Sequence, residues 1–127
     1  MWEIESIPNM DQIFRRIHKN EMDPDDFSFI PPMNFHEIEG GISCDWEKYS
    51  NPEESRERAK NPSMIGIIGL NVGNIRQIEL LEVTHNPSDL NRAHSNIIGL
   101  NLHEKAKRTK IRLKLAEKAL WKINPFV

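Results

Sequence analysis

The chain has 127 residues, 38% apolar and 28% charged, which suits one domain, spanning 1–127, with a thin core of its own. One cysteine, Cys44, excludes an intrachain disulfide framework; with no basic and apolar signal regions near Met1, and no apolar run longer than Met64–Leu70, a cytoplasmic protein without membrane partners is expected. The net charge of −2 conceals fourteen acids and seven bases in residues 1–60 against five acids and ten bases in 61–127, so an acidic and a basic side are expected.

Residues 1–12 read as a loosely ordered lead-in with Pro8 and Asn9. Over Ile13–His18 the residues alternate in a strand pattern but also fit a helix capped by Asn9; the strand is favoured. Glu21–Pro32 is a loop, because Asp23-Pro24-Asp25-Asp26 and Pro31-Pro32 break regular structure. Gly40-Gly41 is a two-residue hairpin signal. It feeds a strand in which Ile42, Cys44 and Trp46 alternate with Ser43 and Asp45. Asn51 as cap, Pro52 at the first position and Glu53-Glu54 at the positive dipole end start a short exposed helix, which Asn61-Pro62 stops.

Met64–Val72 reads as a strand, broken at Gly73-Asn74 with a helical turn around Asn74–Gln77. Ile78–Thr84 is compatible with a strand, Asn86–Asp89 with a turn and Ser95–Leu100 with another strand. The chain closes with a helix over 102–123. Thr109, Leu113, Ala116, Leu120 and Ile123 form its apolar stripe, with Lys107, Lys110, Lys114 and Lys118 on the opposite side. The expected fold is α+β: a sheet of three to five short strands, a short exposed helix, and a long basic C-terminal helix packed on the sheet.

Three of the five histidines, His85, His94 and His103, fall in Thr84–His103. If a turn joins strands ending at His85 and starting at His94, the two rings can serve as an acid–base pair. Arg15, Arg16 or Arg92 can grip a phosphate through a planar fork of donors. Asn91 can donate to a developing oxyanion. Those groups suit a small enzyme acting on a nucleotide or phosphodiester. The plainer reading makes Asn86-Pro87 and Asp89 turn formers, with the histidines packed at loop edges.

A metal centre is not expected. The three histidines recur nine residues apart, unlike helical ligand pairs, and cysteine pairs are missing, although Asp89 or Glu104 offer oxygen ligands. Cys44 has His36 nearby as a base but shares a strand face with Ile42 and Trp46, as a buried structural thiol does. Gly66, Gly69 and Gly73 match neither a dinucleotide nor a P-loop pattern, so no cofactor is implied. The carboxylates of Glu21–Asp26 lack calcium-loop spacing and read as solvated.

The basic helix carries the leading reading. Between Glu104 and Lys122 stand eight Lys or Arg against two Glu. A binding or accessory module is expected, meeting a partner protein or nucleic acid through Lys107, Lys110, Lys114 and Lys118. The plainer alternative is a solvated helix face.

Overall fold

The computed structural model describes the whole chain, Met1–Val127. Strands β1 (Gln12–His18), β2 (Ile42–Trp46), β3 (Ile65–Asn71), β4 (Glu82–His85), β5 (His94–Ile98) and β6 (Leu120–Ile123) form one sheet, ordered β4-β5-β2-β1-β3-β6. Every neighbouring pair is antiparallel. Helices α1 (Pro52–Glu57), α2 (Val72–Arg76) and α3 (Lys105–Lys118) complete an α+β fold. The sheet has six strands rather than three to five. The extra one is β6, cut from what was expected to be the end of the last helix.

Strand pairing sorts side chains into two faces, because successive residues point to opposite sides. On the inner face, Ile13, Ile17, Ile42, Trp46, Ile68, Leu70, Val83 and Ile97 join Val72 and Ile75 of α2 and Ile111 and Leu115 of α3 in one core. On the outer face, α1 packs over β1, β3 and β6. A small apolar cluster of Phe14, Ile65 and Ile67 lies on that side, with Ala59 and Ile123 against it. The outer face of β2 and β5 carries Ser43, Asp45, His94 and Asn96 instead. Two registers set these side by side: Asp45 opposite His94, and Ser43 opposite Asn96.

Several expectations are revised. The lead-in is anchored: Ile7 is buried, Asp11 accepts from Trp46 Nε1 at 2.8 Å, and Gln12 already belongs to β1. The hairpin turn is Glu39-Gly40, at φ 52° and 87°, and Gly41 pairs with Ile38 across it. Positive φ at both central residues matches the right-handed twist of the flanking chain. Gly41 itself is needed because a Cβ there would stand 2.8 Å from the Asn96 side chain.

The last helix ends at Lys118, and Ala119 turns to extended backbone (ψ 146°) so that Leu120–Ile123 can pair with β3. Its buried residues are Ile111 and Leu115, continued by Ala119 below the helix. The expected stripe is wrong: Thr109, Leu113 and Leu120 are exposed. Arg112 takes a half-buried place instead, donating Nε to the Phe35 carbonyl at 2.8 Å. Its methylenes run along the core while the charged end reaches a polar group. The four lysines are all exposed. At ~100° per residue their row lies roughly a third of a turn from the buried stripe, along its flank rather than opposite it.

Candidate functional site

The open half of the outer sheet face holds a polar groove in two adjoining compartments of about 270 and 340 Å³. Arg15, Ser43 and His94 line both. Two strands that separate create it. β1 and β2 pair only at Ile13–Trp46 and Phe14–Asp45. Beyond that point they part, and the Arg15 side chain fills the gap. Its Nε and Nη2 donate to the side chain and carbonyl of Asn34 at 2.9 and 2.6 Å, and its Nη1 to the Ser43 carbonyl at 2.7 Å.

Arg15 thus replaces missing strand-to-strand hydrogen bonds. Burial lowers its pKa from the ordinary arginine value, and no carboxylate forms an ion pair with it. Three of its five N–H groups are spent on these bonds. Arg16, on the outer face beside it, donates Nε to the Ser55 carbonyl at 2.8 Å. Its outer nitrogens have no protein partner.

At the centre, Ser43 Oγ lies 2.9 Å from His94 Nε2, and His94 Nδ1 lies 2.8 Å from the Asn86 carbonyl. A carbonyl only accepts, so Nδ1 carries the proton of the neutral ring. Nε2 is then the bare acceptor, and the Ser43 hydroxyl donates to it. This is a hydroxyl, a base and a group that orients the base, in sequence. Behind them, Asn91 Nδ2 donates to Asp45 Oδ1 at 2.8 Å and Arg58 Nη1 to Asp45 Oδ2 at 3.1 Å. Asp45 and Asn91 both line the groove, so this buried carboxylate is part of its wall and is held by Asn91 and Arg58, as a buried charge must be.

The residues expected to act together are divided by the sheet. His94, Arg15 and Asn91 line the groove. His85 does not, because it is the register partner of Ser95 and points to the inner face. Its Nδ1 accepts from the Glu5 N–H at 3.0 Å, its Nε2 donates to the Arg92 carbonyl at 2.7 Å, and its ring packs on Trp46 and Tyr49. With both nitrogens engaged, it shares no cleft with His94. Arg92 is held between the rings of Trp2 and Tyr49, at 4.4 and 4.0 Å from their centroids.

His103 is buried and bonded to the Glu79 carbonyl, and no group of His, Cys, Asp and Glu in the fold is arranged to hold a metal ion. Burial pushes the Cys44 thiol up to about 12, so it is not a thiolate at neutral pH. Of the lysine row, Lys107 pairs with Glu79 at 3.2 Å, while Lys110, Lys114 and Lys118 form no ion pair.

Ser43 and Asp45 were visible in the sequence as the polar alternates of a strand, but not as members of a site. Their partner His94 lies 51 positions away from Ser43 along the chain, and only strand order joins them. Comparison with protein-family models, curated proteins and solved structures finds no match to this chain.

Proposed function

We propose that the protein is a small enzyme acting on a phosphorylated substrate in this groove. Ser43 is the nucleophile, His94 its base, and Arg15 with Arg16 the clamp on the phosphoryl oxygens. One observation carries the reading: the hydrogen-bonded chain from Ser43 Oγ through His94 to the Asn86 carbonyl, beside two guanidiniums that form no ion pair although Glu21 and Asp45 line the same groove. As Ser43 Oγ bonds to phosphorus, its proton passes to His94 Nε2, and the Asn86 carbonyl stabilises the resulting imidazolium through Nδ1–H. The ester oxygen departs in line, on the side of phosphorus opposite Ser43 Oγ, and takes its proton from solvent. Water attacks from that same side and gives its proton to solvent, while His94 returns the proton it took to Ser43 Oγ as phosphate leaves.

The test is turnover on a panel of phosphomonoesters and phosphodiesters. Ser43→Ala and His94→Ala should each lower kcat by about 100-fold or more, and Arg16→Ala should chiefly raise KM. Turnover indifferent to both Ser43→Ala and His94→Ala would end the proposal.

A second reading keeps the lysine flank of α3 as a contact for nucleic acid or an acidic partner protein. It is favoured by the three unpaired ammonium groups, and by Lys105 and Lys107 standing in the first turn with no acid there. Cations at that end oppose the helix dipole, so these lysines cost the helix stability rather than adding to it.

A further inference from the structure

The groove has a second end that no phosphate needs. We infer that it receives a nucleobase, so that the ligand is a nucleoside 5′-phosphate; this rests on the phosphoryl reading above. Asn96 lies opposite Ser43 in the β2–β5 register and two residues beyond His94 on the same outer face. That is roughly 7 Å along the strand, a separation a ribose bridges between a 5′-phosphate and its base.

The side-chain amides of Asn86 and Asn96 both line this compartment, and neither has a hydrogen-bond partner there. Each offers a donor and an acceptor in one plane, the pattern that matches the edge of a base. Gly41 leaves the floor clear, since a Cβ there would collide with the Asn96 amide. His36 and the exposed side chain of Ile38 supply a planar ring and an apolar surface at the rim. The occupant therefore has an anionic end at Arg15 and Arg16 and a flat, hydrogen-bonding, partly apolar end at Asn86 and Asn96.

Calorimetric titration of the full chain with the four ribonucleoside 5′-monophosphates, and separately with inorganic phosphate, decides the matter. At least one nucleotide should bind about tenfold or more tighter than phosphate, the ratio expected of one well-made hydrogen bond. Asn96→Ala should erase that preference while leaving phosphate affinity unchanged, which also shows the variant to be folded. Arg16→Ala should weaken both ligands together.

Phosphate binding that Arg16→Ala removes, with nucleotides no tighter, overturns the base assignment and leaves the phosphoryl reading standing. Failure of both phosphate and nucleotides to bind overturns the two together. A nucleotide preference that survives Asn96→Ala rejects Asn96 as the base-reading group.

Discussion

Arg15 illustrates how one side chain takes on two tasks. Alternation placed it with Ile13 and Ile17, a face that would ordinarily exclude a guanidinium. The parting of β1 and β2 gives that guanidinium backbone carbonyls to bind and a groove to face. Glu5 shows a comparable dependence on distant partners. Its carboxylate accepts from Lys48 Nζ at 2.5 Å and from the Tyr49 hydroxyl, and those donors, Lys48 first, hold its pKa below the ordinary carboxylate value.

A carboxyl whose pKa is lowered on folding contributes stability that is complete above its unfolded pKa and lost as pH falls through the folded one. Lys48, raised by the same bond, contributes below the ordinary lysine range and loses its contribution only in alkali. The Tm gap between the native chain and Glu5→Gln should therefore be open at pH 7 and close as pH falls below about 4. A gap that stays constant down to pH 3 would show that the Lys48–Glu5–Tyr49 cluster does not tie the N-terminal segment.

At the scale of elements, α3 shows why spacing alone misplaces a helix. Thr109, Leu113, Ala116 and Leu120 obey the 3/4 rule, but so do Arg108, Ile111, Arg112, Leu115 and Ala119. Apolar counting prefers the first set because it scores the arginines as solvent-facing. The fold chooses the second, and its arginines lie half-buried beside Ile111 and Leu115. Denaturant unfolding separates the two. Leu115→Ala, at 0% exposure, should cost about 2–5 kcal/mol, whereas Leu113→Ala, at 48%, should stay within about 0.5 kcal/mol. Equal losses would mean that the helix is rotated from the position described. The short elements were easier to read: α1 is capped by Asn51, whose side chain accepts from the Glu54 N–H, with Pro52 in its first turn. That signal is local and needs no partner.

Across the whole molecule no ion pair joins the acidic half, 1–60, to the basic half, 61–127. Five ion pairs form, and just one, Lys107–Glu79, involves the lysine row. On the second reading, the four exposed lysines along one helix flank would meet a polyanion with an affinity that falls steeply with salt. Reversing Lys110, Lys114 and Lys118 to Glu should abolish any affinity for mixed nucleic acid measured at low ionic strength, without changing turnover in the groove. Undetectable binding of the native chain in the same buffer would remove the nucleic-acid form of the second reading.

From its own letters the chain determined the features that depend on neighbours a few residues apart: the alternating strands around Ile13–His18 and Ile42–Trp46, the capped start of α1, the breaks at proline and glycine, and the α+β class. It also marked His94, Arg15 and Asn91 as chemically capable. Tertiary structure alone decided which of them meet. Strand order puts β5 beside β2, and one residue's difference in position sends His85 inward and His94 outward. It likewise turned Leu120–Ile123 from the end of a helix into an edge strand, because pairing with β3 satisfies backbone groups that a helix would otherwise satisfy within itself. A site assembled from β1, β2 and β5 exists only once long-range pairing has chosen register and face, and no short-range pattern encodes that choice.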